Sequence, residues 1–331
     1  MQYAFWAPLT AFTAALLLNW WLAGSRLAAL TLDHPNRRSL HHSPVPRTGG
    51  IGLHAGILLA VATIAPNLPY ALWPALGVLL AVSLLNDVRE IAAGWRLAAH
   101  LLAGAVFAAD ALAEFGLAAK AIVALAIAWM ANLYNFMDGS DGLAGGMALI
   151  GFSFYGAAAA ASGSTEFALV NFSIAAAAAA FLVFNFHPAR IFMGDVGSVP
   201  LGFLAGALGT TGWLQRDWTW WFPLLVFSPF IADASVTLAR RLLAGEKVWQ
   251  AHRDHYYQRL VQLGWGHRRT ALAEYGLMLA CGLLGLSTLA APGRVQIVAL
   301  VAAGAAYLAL IAAVERSWRK RAAAPDNETA R

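Results

Sequence analysis

Long apolar runs, separated by short polar segments, follow one another along almost the whole chain. A membrane-spanning helix needs about 17–25 mainly apolar residues, whereas a strand of a membrane barrel needs only about 9–11. Because backbone groups in lipid must pair within their own segment, runs of this length favour helices. The pattern predicts eleven spanning helices, at residues 5–24, 49–65, 70–86, 97–113, 117–134, 143–162, 168–186, 198–214, 219–239, 271–291 and 295–314.

The composition of the 331 residues agrees with this pattern, since 60% are hydrophobic, 12% are charged and the mean hydropathy is +0.62. Soluble domains carry about 25% charged residues. We therefore predict an all-α, polytopic membrane protein, with one multi-span domain at 1–314 and a short basic tail at 315–331. The single cysteine, Cys281, excludes an intrachain disulfide.

The basic residues are divided very unequally between the two sides that eleven spans define. Of the 22 Lys and Arg residues, 19 fall on one side, and the exceptions are Lys120, Arg216 and Arg294. The positive-inside rule makes the basic side cytoplasmic, so the N-terminus is expected outside and the C-terminus in the cytoplasm. The net charge of +5 then reflects orientation and contact with anionic lipid headgroups, and it requires no nucleic-acid partner.

The polar segment "NFMDGSDGLAGG", residues 135–146, follows a predicted span that ends without charge. Asp138 and Asp141 are three residues apart, so in a helical turn they would share a face. Gly139 and Gly142 would let the backbone approach a ligand closely. The ligand spacing excludes an EF-hand, and the lack of a following Lys excludes a Walker loop. A helix cap explains one of the two carboxylates better than both.

Two further acids lie on the same predicted side, Asp87 in "LNDVREIAAGWR" and Asp195 in "FNFHPARIFMGDVGSVPLG". Each alone is compatible with a helix end, but carboxylates gather only where something positive joins them. Oxygen ligands beside glycine turns favour Mg²⁺, and no HExxH or CxxC pattern supports zinc. With the neighbouring Arg and His residues, the loops predict a carboxylate–Mg²⁺ centre for diphosphate chemistry.

Three other stretches carry candidate chemistry. In "EKVWQAHRDHYYQRLVQLGWGHRRT", residues 246–270, a helix from Ala251 would put His252, His255 and Arg259 on one face, and such a helix could also lie on the membrane surface. Asp233 falls inside a predicted span and is a functional candidate unless it pairs locally. The loop at 33–52 either sets orientation or, given its prolines and paired glycines, follows a fixed path.

Together these loops resemble the polyprenyl-phosphate N-acetylhexosamine-1-phosphate transferases, which form glycosyltransferase family 4. The matching stretches are "DHPNRRSLHHSPVPRTGG", "NDVREIAAGWR", "NLYNFMDGSDGLAGG", "FNFHPARIFMGDVGS" and "HRDHYYQRL", in the order found in the family. The last stretch is most similar to enzymes that initiate O-antigen or related surface glycans. The resemblance implies that undecaprenyl phosphate attacks a UDP-N-acetylhexosamine, which gives undecaprenyl-diphospho-sugar and UMP.

The resemblance also implies roles for individual residues. Asp195 would bind Mg²⁺, for which Mn²⁺ could substitute, and Phe192 would lie near the uracil ring. Asp87 would activate or orient the lipid phosphate. Asn135, Asp138 and Asp141 would organise the nucleotide and the metal. His252 and His255 would bind the diphosphate or the sugar, with Arg253 and Arg259 as helpers. His42 lies near a position that the family uses as a cationic contact with the substrate.

The same resemblance places the protein in the bacterial inner membrane, surrounded by lipid, with its active site facing the cytoplasm, and it is compatible with a homodimer. N-acetylglucosamine, N-acetylgalactosamine and 6-deoxy sugars such as N-acetylfucosamine or N-acetylquinovosamine all fit the donor. Three positions depart from the family pattern: Asn86 stands where an Asp is usual, Arg96 where Lys is common and His100 where Gln is frequent.

Three other interpretations compete with a sugar-phosphate transferase. A transporter or flippase would also have short, broken spans and intramembrane acids, although its charges should lie near the middle of the membrane. A prenyltransferase would carry paired DxxxD helices, which the spacing of Asp138 and Asp141 does not match. A catalytically inactive scaffold would be consistent with Asn86, because an amide cannot act as a base.

Overall fold

A computed structural model describes residues 4–35, 39–40, 43–247, 250 and 252–323. The chain is helical throughout this part, apart from loops and one short antiparallel pair of strands, β1 (Leu32–Asp33) and β2 (Val45–Pro46). The helices are α1 (Ala7–Ala23), α2 (Gly49–Ile64), α3 (Leu72–Val88), α4 (Ala93–Ala111), α5 (Leu117–Met137), α6 (Leu143–Ser162), α7 (Thr165–Asn185), α8 (Asp195–Leu214), α9 (Trp221–Val226), α10 (Ser228–Leu243), α11 (Tyr256–Leu260), α12 (Gly266–Thr288) and α13 (Gly293–Ala323).

The all-α prediction is confirmed, and every predicted apolar segment overlaps a helix. The ninth segment is broken in two, because α9 ends at Val226 and α10 begins at Ser228 with Pro229 in its first turn, where a proline is well tolerated. By length and composition, six helical segments of the described chain can cross a membrane: residues 4–23, 117–137, 143–162, 165–185, 256–288 and 293–321. The protein is therefore a multi-pass membrane protein, while the number of eleven crossings stays a prediction.

The helices pack most tightly around α6 and α7. Their apolar segments are 72% buried within the protein, and α7 also packs against α1 and α2. A second group forms where α5 packs against α4 and α8, and α3 packs against α8. By contrast, α13 is attached loosely, and it continues past residue 315 to Ala323, so the first part of the predicted tail is helical.

The paired glycines at the start of α2 hold this helix against α8. The N–H groups of Gly49 and Gly50 donate to the carbonyl oxygens of Phe192 and Met193, both at 2.9 Å. A Cβ at Gly50 would lie 2.3 Å from the backbone nitrogen of Gly197, so the two helices meet backbone to backbone. The glycine pair thus fixes the start of α2, whereas residues 36–38 and 41–42 of the preceding loop lie outside the described part of the chain.

Candidate active site

Asp195 is the first residue of α8 and is held from two sides by side chains of the α3–α4 region. Its Oδ2 accepts hydrogen bonds from Asn86 Nδ2 at 2.7 Å and from an Arg96 guanidinium nitrogen at 3.2 Å. No described residue hydrogen-bonds its Oδ1, and the side chain is 18% exposed. One oxygen of Asp195 is therefore used to orient the carboxylate, and the other remains for a ligand.

Asp87, near the end of α3, binds the start of α8 through both of its carboxylate oxygens. Oδ1 accepts the N–H of Asp195 at 3.0 Å, and Oδ2 accepts the N–H of Val196 at 2.9 Å. A carboxylate at this place pairs N–H groups that a helix start leaves free, and it complements the positive end of the helix dipole. Gly194 has φ +72°, and a Cβ there would lie 2.8 Å from Asp87 Oδ2, so glycine is needed at this position.

Asp138 directly follows α5 and belongs to the same electrostatic cluster. Burial raises its pKa well above the usual range, and the carboxylates of Asp195 and Asp87 raise it further. Arg47 is the cation common to the cluster, because it interacts electrostatically with Asp87, Asp138 and Asp195. The cluster also contains Arg96, and Arg47 is itself paired with Asp33 at 2.5 Å. Acids that repel one another in this way form a setting that a divalent cation would stabilise.

The fit of the cluster to a metal can be tested on its donor set. Among the described residues, no three His, Cys, Asp or Glu side chains are arranged to hold a metal ion. The described residues therefore supply no complete cage of the zinc type. Mg²⁺ is usually bound through only one or two carboxylates together with waters and substrate phosphates. The free Oδ1 of Asp195 and the nearby carboxyl group of Asp138 fit that pattern.

Asp141 lies in a different cluster from Asp138. The segment between α5 and α6 is a bend and turn, so the shared helical face expected for the two acids is wrong. Asp141 Oδ2 pairs with His187 Nδ1 at 2.6 Å and accepts the N–H of Ala189 at 3.1 Å. The rings of His187 and His267 stack, with centroids 5.4 Å apart and an interplanar angle of 13°.

Neither histidine of this cluster was singled out from the sequence. His187 lies next to Pro188 in the stretch "FNFHPARIFMGDVGS", and its place in this motif is the signal that could reveal it. His267 begins a distant helix, and only the folded chain brings its Nδ1 to 2.9 Å from Ser140 Oγ. The two histidines join the loops before α6 and α8 to the start of α12.

Amide and hydroxyl groups connect the helix ends around the cluster. Asn135 Oδ1, in the last turn of α5, accepts the hydroxyl of Ser198 in α8 at 2.8 Å. Gly142 has φ +78°, and its N–H donates to Asn185 Oδ1 at 2.9 Å. Phe192 is half-buried, and its N–H donates to the carbonyl oxygen of Pro46 at 2.8 Å. The predicted residue His42 lies outside the described part of the chain.

Asp233 is fully used as an anchor for α11. Its Oδ1 pairs with His255 Nδ1 at 3.1 Å and accepts the N–H of Tyr256 at 2.9 Å, while Oδ2 accepts the N–H of Tyr257 at 2.9 Å. Thr237 adds a hydrogen bond at 3.1 Å, and Asp233 is 6% exposed. This acid therefore pairs locally, the alternative that the sequence left open.

The helix that carries the predicted histidine face begins later than expected. It starts at Tyr256 with His255 as its N-cap, so the predicted start at Ala251 is wrong. His252 lies outside the helix, yet its ring centroid is 4.9 Å from that of His255. Burial, and then electrostatic interactions with His255 and Arg241, lower the pKa of His252 to about 4. His255 is buried, whereas Arg253 is exposed.

Arg259 is also buried, and it pairs with Glu315 of α13 at 2.9 Å. Its guanidinium additionally lies over the rings of Tyr256 and Trp318, at 5.7 and 5.1 Å from their centroids. Sequence reasoning missed Glu315, since it falls within the stretch predicted as a basic tail. In the segment 252–259, Arg253 is exposed and the side chain of Asp254 is 34% exposed, whereas that of His252 is only 10% exposed.

A cavity of about 350 Å³ lies far from these acids. Its lining residues are Trp213, Arg216, Asp217, Trp218, Thr219, Trp220 and Leu289. Except for Leu289, which follows α12, these residues lie at or just after the end of α8, whereas Asp195 begins that helix. The 20 residues of α8 correspond to about 30 Å. The cavity is thus at the opposite end of the bundle and is not part of the acidic site.

Comparison with known proteins gives concordant matches. The family model described as glycosyl transferase family 4 matches residues 70–212, which include Asp87, Asp138, Asp141 and Asp195 but not Asp233. A decaprenyl-phosphate N-acetylglucosaminephosphotransferase of Mycolicibacterium smegmatis is 30% identical over 81% of this chain and 78% of the relative. A protein of the same name from Mycobacterium tuberculosis is 31% identical over 77% and 74%. A phospho-N-acetylmuramoyl-pentapeptide-transferase of Symbiobacterium thermophilum is 35% identical over 52% and 51%.

Proposed function

Because the chain belongs to glycosyl transferase family 4, we propose that it transfers an N-acetylhexosamine 1-phosphate from a UDP-sugar to undecaprenyl phosphate. The relatives named for such transfer support phosphosugar transfer to a prenyl phosphate as the reaction class. The oxygen of the lipid phosphate forms a bond to the β-phosphorus of the donor, and the bond between that phosphorus and UMP breaks. The products are undecaprenyl-diphospho-sugar and UMP.

The observation that carries this proposal is the grouping of Asp87, Asp138 and Asp195 with Arg47 and Arg96 at one end of the helices. Two anionic substrates, a lipid phosphate and a diphosphate, must approach each other for this reaction. Cations remove their repulsion and stabilise charge at the transferred phosphorus. Helices that reach into the membrane from this end would let the lipid chain stay in the bilayer.

We assign Mg²⁺, with Mn²⁺ as a substitute, to Asp195 through its Oδ1, with Asp138 as the second carboxyl group. When bound, the metal neutralises charge on the diphosphate and helps to orient it. The repulsion of Asp138 by Asp195 and Asp87 supports this assignment, because a cation between these acids would relieve it. Asn86 and Arg96 would keep Asp195 in the orientation that presents Oδ1.

In this proposal Asp87 does not transfer a proton but orients Asp195. Both of its oxygens accept N–H groups at the start of α8, so it orients Asp195 through the backbone. A phosphate monoester has a second pKa of about 6 and is already mostly ionised near neutral pH. The attacking oxygen therefore needs orientation by Arg47 and Arg96 more than it needs a base.

Of the remaining predicted residues, some are proposed to contact the substrates and others to support those that do. We propose that Asn135, Asp141 and Phe192 form the nucleotide side of the site, and that His252, Arg253 and His42 lie towards the diphosphate and sugar. His255 and Arg259 are buried and paired with Asp233 and Glu315, so they support the segment that carries His252 and Arg253.

The acidic end is proposed to face the cytoplasm of a bacterial inner membrane. The unequal distribution of Lys and Arg supports this orientation. We further propose that the reaction is the first membrane step of a surface polysaccharide such as O-antigen. The donor would be UDP-N-acetylglucosamine or a 6-deoxy relative, and UDP-N-acetylglucosamine is the first to test because named relatives act on N-acetylglucosamine.

A transporter or flippase is the second candidate, and the placement of the acids disfavours it. Asp87, Asp138 and Asp195 lie at helix ends, whereas a transport site is expected near the middle of the membrane. Asp233, which the sequence placed inside a span, is fully hydrogen-bonded within the protein.

The test is UMP release by the purified protein in detergent, with undecaprenyl phosphate, Mg²⁺ and a panel of UDP-N-acetylhexosamines. Asp195→Asn should abolish release, while Glu114→Gln, at an exposed glutamate beyond the far end of α4, should leave it unchanged. Release that needs lipid, metal and Asp195 supports the transferase and identifies the donor. No release with any donor, from protein shown to be folded, would contradict it and favour the transporter.

A further inference from the structure

Glu315 of α13 is the meeting point of three hydrogen-bond donors from other helices. Its Oε1 accepts a guanidinium nitrogen of Arg240 at 2.8 Å, the hydroxyl of Tyr256 at 3.0 Å and a guanidinium nitrogen of Arg259 at 2.9 Å. All three bonds end on a carboxylate and are therefore charge-assisted, which makes them stronger than neutral ones. A single glutamate oxygen thus joins α10, α11 and α13.

These contacts stand out because the rest of α13 makes few. Only 6% of its most apolar segment is buried within the protein. Near Glu315, Trp318 adds its ring beneath the Arg259 guanidinium, at 5.1 Å. At this end α13 is therefore attached to the bundle through Glu315 and Trp318, and the helix lies outside the residues that the family model matches.

The helix that Glu315 holds packs directly on the loop of the acidic site. The Tyr257 hydroxyl in α11 donates to the carbonyl oxygen of Phe136 at 3.1 Å. A Cβ at Gly139 would lie 2.2 Å from the same hydroxyl, so α11 is in close contact with the end of α5 and with the loop that follows it. Asp138 lies within that loop, and any shift of α11 must change its surroundings.

Glu315 and Asp233 hold α11 from two directions. Asp233 binds the first backbone N–H groups of α11, and Glu315 binds two of its side chains. Arg259 is 6% exposed, so removal of Glu315 would leave a buried guanidinium without its anion. Breaking one partner of a buried ion pair is strongly unfavourable, and α11 is expected to move until Arg259 finds water or another acid.

We propose that Glu315 is a positioning residue of the transfer site, which acts through α11 on the loop that carries Asp138. The catalytic consequence rests on the proposed function, whereas the mechanical coupling between α13 and the loop does not. The C-terminal helix is then a functional part of the enzyme, although it contributes no group to the substrates.

The experiment compares Glu315→Ala and Glu315→Gln with two controls, Arg316→Ala on the exposed face of the same helix turn and Glu166→Ala at the start of α7. Hydrogen–deuterium exchange is measured on the detergent-solubilised full chain. For the same samples, kcat and KM for the UDP-sugar are measured from UMP release. Thermal unfolding shows that each variant is folded.

We expect Glu315→Ala to increase exchange at least threefold in residues 255–260 and also in 135–142, with α6 and α7 unchanged. The value of kcat/KM should fall at least tenfold. Glu315→Gln keeps a side-chain oxygen that accepts from Arg259, so it should retain more protection and more activity than the alanine variant. Both controls should match the wild type.

Unchanged exchange at 135–142 in a folded Glu315→Ala protein would overturn the proposal, and so would increased exchange with unchanged kcat/KM. If the wild type itself releases no UMP, the proposed function fails separately. Exchange then decides the coupling alone: a response at 135–142 supports it and its absence overturns it.

Discussion

The side-chain amide of Asn86 donates a hydrogen bond of 2.7 Å to Oδ2 of Asp195. The orientation of this amide is set by its other end, because Asn86 Oδ1 accepts the backbone N–H of Ile91 at 2.9 Å. Asparagine can satisfy both partners at once, whereas an ionised aspartate could satisfy only Ile91. The departure from the family pattern at residue 86 is therefore built into the geometry around Asp195.

Asn86→Asp should lower UMP release about tenfold at low Mg²⁺, since a second carboxylate would face Asp195 without a donor between them. Raising the Mg²⁺ concentration should recover part of the loss, because the added cation can bridge the two acids. The measurement is a Mg²⁺ titration of UMP release for the wild type, Asn86→Asp and the control Glu90→Gln. An Asn86→Asp enzyme that is faster than the wild type at every Mg²⁺ concentration would contradict this account of residue 86.

Asp87→Asn should weaken the start of α8, because an amide offers only one oxygen to the N–H groups of Asp195 and Val196. We expect a loss of about 1–2 kcal/mol in the free energy of unfolding, similar to removal of a helix cap, together with slower turnover. The loss of stability is checked by thermal unfolding of all variants in the same detergent, with Glu90→Gln, a substitution at an exposed residue, as the control. A variant with wild-type stability but no turnover would instead indicate direct contact of Asp87 with substrate.

The sequence could predict the helices but not their partners. Apolar runs indicated every span segment, since a long run without charge has few other structures available in lipid. That Asp87 would bind the N–H groups of Asp195 and Val196 could not be predicted, because the residues are more than a hundred positions apart. The same holds for α11: a local capping box of His255 and Gln258 marks its start, but the N–H groups of Tyr256 and Tyr257 are bound by Asp233 in another helix.

The pKa of His252, lowered to about 4, predicts a pH dependence of stability. In the unfolded chain His252 takes up a proton near pH 6.5, whereas in the folded chain its imidazole stays neutral down to about pH 4. The contribution of neutral His252 to the free energy of unfolding is therefore complete above pH 6.5 and is lost as the pH falls from 6.5 towards 4. The difference between wild type and His252→Gln isolates this residue: exchange at 252–260 should rise from pH 7 to pH 5 in the former and less in the latter. Equal pH responses in both proteins would refute the prediction.

Gly139→Ala tests the contact between the acidic loop and α11. The new Cβ would lie 2.2 Å from the Tyr257 hydroxyl, so one of the two segments must move. We expect UMP release to fall about tenfold, a typical consequence of displacing groups at a reacting centre by a fraction of an ångström or more. The double variant Gly139→Ala/Tyr257→Phe, which removes the hydroxyl, should recover part of the activity. If the double variant releases UMP no faster than Gly139→Ala, the loss of activity does not come from this contact.

The most direct measurement follows the phosphorus atoms of the donor. Purified protein is given undecaprenyl phosphate, Mg²⁺ and UDP-N-acetylglucosamine that carries ³²P in either the α or the β position, and the lipid is extracted with butanol. Transfer of sugar 1-phosphate predicts that the β label enters the lipid and that the α label is released in UMP. Asp195→Asn should abolish both the labelling of the lipid and the release of UMP. Sugar in the lipid without the β label, or no label in the lipid with any UDP-N-acetylhexosamine, would contradict the account.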